Sequence, residues 1–390
     1  MRILKWLLAA VVALVIAVAA ALYLVDPVVG GRILAMPFGG INGVAENVTG
    51  GVPAKVAVAA PAARSIAPQA LDAAVAYGEE TGSHALLVWH DGALQLEHYY
   101  PGYGRDTRTP TQSMHKSVLA LLVGIAIRDG FIASVDDPVA RYLPEWAGDA
   151  RATITIRQML QQQSGIGFPA FSFWNPRSDF LQLMMGADVA RIVLAQPLED
   201  PPGSRFDYNN VNPQLIGILL ERATGRRYPE YLSETLWQRI GADDATAVLD
   251  SVEHGMARTF CCLDATARSW LQLGLLHLDG GVHGGEQVVP AEWMREVVTP
   301  SPRNPDYGYY TWLGTEYREQ RSYNHKTSFT AHHSEPFTAP DVIYFDGFGG
   351  QRVYVVPSQR LVIVRTGDLA MDWDDARLPN LILRGIAQKK

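Results

Sequence analysis

Trp6 through Val25 is an unbroken run of twenty apolar residues, preceded by Arg2 and Lys5. At 1.5 Å per residue a helix of that length covers about the 30 Å hydrocarbon core of a bilayer. The basic residues at its short end place that end in the cytoplasm and everything after Asp26 on the periplasmic or outer face. The pattern therefore predicts a single-pass anchor in the inner (cytoplasmic) membrane over residues 1–25. The competing reading is a signal segment cut after Ala17-Val18-Ala19, which would release a secreted protein. The apolar run continues through Leu22-Tyr23-Leu24-Val25 past that cut, as a spanning helix should. Residues 26–68, rich in Ala, Gly, Pro and Val without period, read as a spacer or lead-in. The folded unit is expected over residues 69–390.

Within that unit the alternation changes from strand-like to helix-like and back. His84 to Trp89, the turn pair Asp91-Gly92 and Ala93 to Tyr100 predict a β-hairpin, because two β-rich runs flank a dipeptide that favours positive φ. Gln351 to Val356, a turn at Pro357-Ser358-Gln359-Arg360, and Leu361 to Thr366 predict a second. Nearly everything between reads as helix or loop. Ser113 to Arg128 is apolar on all sides and predicts a buried central helix stopped by Asp129-Gly130. The expected fold is α/β, of the α+β kind: an antiparallel sheet built from both chain ends and flanked by helices, plus an inserted, mostly helical lobe. A cleft between the lobes is the natural place for chemistry.

Composition narrows the chemistry by exclusion. A net charge of −7, with no local cluster of Lys and Arg, gives no footprint for nucleic acid. No CxxC, HExxH or Cys/His spacing suggests a metal, and no cofactor is implied. His325 and the adjacent His332-His333 read as loop residues. Cys261 and Cys262 are neighbours, which can pair only through a strained ring, so a structural disulfide is not expected. Only six lysines stand against 27 arginines, so Lys116, inside an apolar helix, is conspicuous.

Ser113-Met114-His115-Lys116 is an S-x-x-K element. At i and i+3 the serine and the lysine share one helix face, with the hydroxyl near the positive N-terminal end. A serine becomes a nucleophile at neutral pH only beside a base whose proton affinity lies near working pH, and burial lowers a lysine toward that range. Ser113 is therefore the candidate nucleophile and Lys116 the candidate base.

Asp136-Asp137-Pro138-Val139, Thr155-Ile156-Arg157-Gln158-Met159-Leu160 leading to Ser164-Gly165-Ile166, Pro201-Pro202-Gly203-Ser204-Arg205-Phe206, Tyr307-Gly308-Tyr309 with Trp312, and Gly347-Phe348-Gly349-Gly350-Gln351 follow the S-x-x-K element in order. From about Ala70 to Gly367 the chain thereby resembles the serine β-lactamase and penicillin-binding-protein superfamily, in particular its class C-like, esterase-like branch with the 6-aminohexanoate-dimer hydrolases. The resemblance implies that Tyr208-Asn209-Asn210 is the Y-x-N motif. Tyr208 would then relay the proton between Ser113, Lys116 and the leaving group, its pKa lowered by the lysine. Asn210 would support Lys116 or the substrate amide. It also implies an oxyanion hole from the backbone N–H groups of Ser113 and Phe348, with Gly349 beside the substrate.

The chain departs from that family twice. Lys326-Thr327-Ser328 imitates the third motif, K-T-G, but lies some twenty residues before the strand that should carry it. The cation that holds the carboxylate of penicillin-like substrates is thus missing. The stretch Phe168-Pro169-Ala170-Phe171-Ser172-Phe173-Trp174 is aromatic and uncharged where the nylon-oligomer hydrolases carry acidic and tyrosine residues; it either packs the lobe or lines the cleft. The implied function is hydrolysis of small-molecule amides or esters through an acyl-enzyme. The alternatives are a β-lactamase, a D-Ala-D-Ala carboxypeptidase, or a non-catalytic, membrane-tethered cell-wall-binding protein.

Overall fold

A computed structural model describes residues 2–36 and 44–386. Residues 37–43 of the expected lead-in and residues 387–390 of the expected catalytic unit lie outside the described residues.

Both expected hairpins form, and they join into one sheet. Ser83–His90 and Ala93–Tyr99 pair around Asp91-Gly92, and Gln351–Val356 and Leu361–Gly367 pair around a 3-10 turn at Pro357–Gln359. The junction is antiparallel, with Ile363 opposite Val88. Ile343–Gly347 and Trp312–Leu313 extend the far edge, giving six antiparallel strands in the order 93–99, 83–90, 361–367, 351–356, 343–347, 312–313. First and last segments of the folded unit thus lie side by side at the sheet centre. Leu361–Gly367 and Gln351–Val356 are buried along their whole length, because helix Ala267–Leu278 packs across them.

The helical lobe is inserted between the hairpins. Its axis is His115–Arg128, in which every residue from His115 to Ala126 is buried. Helices Val211–Thr224 and Ala291–Val297 pack against it. Gly124 lets that second contact close, since a Cβ there would stand 2.2 Å from the ring of Trp293, whose Nε1 donates to Ala120 O at 2.8 Å.

The N-terminal segment corrects one expectation. Arg2–Val25 is helical, with most of its described apolar side chains, Leu14, Ile16 and Leu24 among them, exposed. Yet among the described residues no helix is long and apolar enough to cross a membrane. The transmembrane anchor, and with it the single-pass inner-membrane location and orientation, is overturned. Directly after the apolar run the chain packs onto the body of the protein. Asp26 caps helix Pro27–Ala35 by accepting from Val28 N and Val29 N, and that helix docks on the lobe. Val29 packs on Phe180 and Leu181. Arg32 donates to the carbonyls of Met185, Gly186 and Asp250 at 2.6, 3.0 and 2.5 Å. Further on, Val44–Val48 pairs antiparallel with Ala245–Leu249 in a second, four-stranded sheet.

Candidate active site

Ser113 sits in a single 3-10 turn, Gln112–Met114, that feeds straight into the central helix. The preceding residue, Gln112, has φ +52°, a left-handed conformation that costs a side-chain-bearing residue about 1–2 kcal/mol. Neighbouring contacts hold it there: Thr111 Oγ1 donates to Leu263 O at 2.7 Å, and Met114 N donates to Thr111 O at 3.2 Å. The strained step sets the serine at the mouth of the helix instead of inside it.

Lys116 lies one turn on, 1% exposed, and its ammonium finds three acceptors: Ser113 Oγ at 2.7 Å, Phe260 O at 2.7 Å and Asn210 Oδ1 at 3.0 Å. Burial pulls its pKa down to about 7, against the opposing pull of Asp346. The amine is therefore poised between charged and neutral forms at neutral pH. His115, beside it, is also fully buried. One ring nitrogen faces Cys261 O, the other meets Tyr228 Oη at 2.7 Å, and burial depresses its pKa to about 4, so it is neutral. The carbonyls of Phe260 and Cys261 thus brace both residues. Cys261 and Cys262 are joined as a disulfide, contrary to expectation. The turn that brings them together has Cys261 N donating to Arg258 O at 3.3 Å and Cys262 at φ +71°.

Tyr208 and Asn210 arrive from the other side of the cleft, immediately before helix Val211–Thr224. Asn209 does the capping, accepting from Val211 N at 3.0 Å and Asn212 N at 3.1 Å. That leaves the Asn210 amide free to reach Lys116. The Tyr208 ring stands 5.0 Å from Lys116 Nζ. Its pKa moves opposite to expectation: burial first, then Asp346, raise it, and the hydrogen bond with Ser113 offsets this only in part. Tyr208 is therefore a neutral phenol.

The third wall is the hairpin turn Phe348-Gly349-Gly350 after strand Ile343–Gly347. Gly349 adopts φ +71°, and a Cβ on it would lie 2.7 Å from Leu369 Cα, so the turn is open only to glycine. At Gly347 a Cβ would come within 2.4 Å of Thr111 O, which shows how closely this element approaches the segment that carries Ser113. Ser113, Phe348 and Gly349 line one cavity of about 390 Å3, together with Tyr208, Asn210 and the aromatic stretch at Phe168, Phe171 and Phe173. Trp174 is 92% exposed and does not line the cavity.

Beneath the turn lies a charge cluster with no local sequence signal, assembled from four distant residues. Asp346 binds Arg321 and Arg352, each at 2.8 Å, and accepts from Tyr323 Oη at 2.7 Å. Asp375 binds Arg352 at 2.7 Å and Arg321 at 3.3 Å. Burial alone would raise the Asp346 carboxyl; Arg352 and Arg321 outweigh it and hold the group below the usual carboxylate range. Arg352 lines the cavity, but its charge is committed to these partners. Lys326 pairs with Glu199.

An antiparallel sheet around an inserted helical lobe, with a serine in contact with a buried lysine at their junction, is the β-lactamase/transpeptidase-like fold. The Beta-lactamase family model matches residues 71–367, and the chain belongs to that family. It is 31% identical over 241 residues to the 6-aminohexanoate-dimer hydrolase of Paenarthrobacter ureafaciens, covering 58% of this chain and 59% of that protein. It is 30% identical over 105 residues to protein flp of Staphylococcus aureus (strain COL), covering 26% of this chain and 20% of that one. The matches thus span under two thirds of these relatives' length. Among solved structures, a Bacillus anthracis protein named as a candidate 6-aminohexanoate-dimer hydrolase superimposes with a TM-score of 0.68 at 20% identity, over 89% of this chain and 90% of that one. A family VIII carboxylesterase does so with a TM-score of 0.61 at 19% identity, over 84% and 98%. At such identities these likenesses establish the fold.

Proposed function

We propose that the protein hydrolyses neutral small-molecule amides or esters through an acyl-enzyme on Ser113. The observation that carries the reading is the buried Lys116 ammonium, 2.7 Å from Ser113 Oγ and held near a pKa of about 7. In its neutral form Lys116 takes the Ser113 proton as Oγ attacks the carbonyl. The backbone N–H groups of Ser113 and Phe348 receive the developing oxyanion, a contribution of about 3–4 kcal/mol per donor in comparable sites. Tyr208, a neutral phenol, passes its proton to the leaving nitrogen or oxygen and is reprotonated from Lys116. Water then repeats the sequence on the Ser113 ester. Asn210 holds the lysine in line throughout.

Two observations favour simple amides and esters over carboxylate-bearing β-lactams or D-Ala-D-Ala peptides: Arg352 is bound by two carboxylates, and Lys326 is bound by Glu199. The test is p-nitrophenyl butyrate beside a chromogenic cephalosporin, with a fluorophosphonate reporting acylation of wild type and Ser113→Ala. Ester turnover at the higher kcat/KM, with labelling lost in the variant, is the expected result. Cephalosporin turnover at equal or higher kcat/KM would move the assignment to a β-lactamase, and binding without labelling would make the protein a non-catalytic receptor.

A further inference from the structure

The cavity beside Ser113 holds more apolar surface than short acyl groups require. A line of phenylalanine rings runs along it from the oxyanion turn into the helical lobe. Phe348 meets Phe329 at 6.2 Å between centroids, Phe329 meets Phe171 at 5.9 Å, and Phe171 meets Phe180 at 4.6 Å. Phe348, Phe329 and Phe171 are each 43–47% exposed. At about 390 Å3 the space falls within the roughly 300–1,000 Å3 typical of small-molecule sites. The inner wall is backed from behind, because Val29 and Ile33 of helix Pro27–Ala35 pack on the cluster of Phe180 and Leu181. It is therefore preformed and does not have to assemble around a ligand.

Direction along this line decides which part of the substrate occupies it. The carbonyl carbon bonded to Ser113 carries two substituents, and the leaving one must face the Tyr208 hydroxyl, the proton donor. Tyr208 packs among Tyr307, Trp312 and Tyr323, on the strand side. The other substituent faces Asn210, whose Nδ2 lies 4.0 Å from Met184 Sδ, at the phenylalanine end of the cavity.

We infer that this compartment receives the acyl side of the substrate and selects a straight apolar acyl chain of about six to ten carbons, or an aryl-alkyl equivalent. The inference rests on Ser113 being the nucleophile, as proposed above. Burying a methylene is worth about fourfold in an equilibrium or specificity ratio, the equivalent of about 0.8 kcal/mol. Extending the acyl group from butyrate to octanoate adds four methylenes and should then raise kcat/KM about 250-fold.

The experiment is a p-nitrophenyl ester series from acetate to decanoate, below the critical micelle concentration, on the full chain. Four proteins are compared: wild type, Phe171→Ala, Phe329→Ala and Trp174→Ala. The first two substitutions truncate half-exposed rings from two separate segments of the chain, so the fold does not hang on either. The expected result is a rising slope of log kcat/KM with chain length in wild type. Either phenylalanine variant should cut that slope by at least half, and Trp174→Ala, outside the cavity, should keep it. A wild-type slope that is flat or falls beyond butyrate while a small fluorophosphonate still labels Ser113 overturns the compartment and leaves the hydrolase reading standing. A slope that survives in both phenylalanine variants overturns the compartment equally. Absence of both labelling and turnover across the series sinks the two together.

Discussion

Replacing Lys116 by methionine should abolish activity and, at mildly acidic pH, make the protein more stable. Lysine would carry its charge in the unfolded chain up to about 10.5, but in the fold burial lowers its pKa to about 7. At 1.36 kcal/mol per tenfold, keeping the charged amine buried at pH 6 costs about 5 kcal/mol. Between those two values the unfolded chain binds more protons than the folded one, so wild-type stability rises with pH across that window and is lost as pH falls toward 7. Methionine keeps most of the volume and has no charge to bury. It strands Phe260 O, which accepts from Lys116 at 2.7 Å, and an unpartnered buried carbonyl costs about 1–3 kcal/mol. The variant should therefore gain about 2–4 kcal/mol over wild type at pH 6 and come within about 1–2 kcal/mol of it at pH 9. Urea unfolding at several pH values, read beside fluorophosphonate labelling, measures both halves. Parallel stability curves for the two proteins across pH 6–9 would refute the claim that the lysine is held at a lowered pKa.

The same lysine fixes the pH dependence of turnover: kcat/KM for an ester with no ionisable group should rise with pH and reach half its plateau near pH 7, and a midpoint above 9 would mean an ordinary, solvated amine. Tyr208→Phe should lower hydrolysis of an anilide about 10²- to 10⁴-fold but that of a p-nitrophenyl ester far less, because nitrophenolate leaves without a proton. Equal losses on both substrates would give Tyr208 a positioning role instead.

What the chain announces in advance is what has a local period. Strand alternation on both sides of Asp91-Gly92 and of Pro357-Ser358-Gln359-Arg360 foretells the two hairpins, and an all-apolar run foretells the buried helix. The i, i+3 spacing of Ser113 and Lys116 needs nothing beyond helix geometry. What stays hidden is non-local or lies in the backbone. The Phe260 carbonyl has no side-chain signature, and the left-handed Gln112 looks like any other residue before a helix. The cluster of Arg321, Asp346, Arg352 and Asp375 exists only once a strand, a hairpin and a C-terminal turn are side by side. Apolarity misled at the N-terminus, where among the described residues no helix is long and apolar enough to cross a membrane and the apolar run is followed at once by a helix that docks on Phe180. Tyr208 misled for a related reason: the neighbouring lysine was visible in the sequence, whereas the burial of the phenol and, after it, the approach of Asp346, which together raise its pKa, were not.

Asp346 links these observations, because one carboxylate acts on three parts of the site. It raises the pKa of Lys116, raises that of Tyr208, and with Asp375 balances the charge of Arg352 at the cavity wall. Asp346→Asn keeps the shape and removes the charge, so the three effects should move together. Without the carboxylate the Lys116 pKa falls further below about 7, and the rising limb of the pH–rate profile should shift to lower pH. Arg352 and Arg321, left with Asp375 alone, carry uncompensated positive charge beside the cleft. A substrate carboxylate can then be held by a charge-assisted contact worth about 1.5–3 kcal/mol, so carboxylate-bearing esters should gain about tenfold or more in kcat/KM relative to neutral ones. The cost is stability: removing one member of a buried ionic cluster is destabilising by about 3–5 kcal/mol, read as a lower urea midpoint. An unchanged pH midpoint together with an unchanged preference between neutral and carboxylate-bearing esters would mean that Asp346 is electrically insulated from the cleft, and that the exclusion of carboxylates is set by shape.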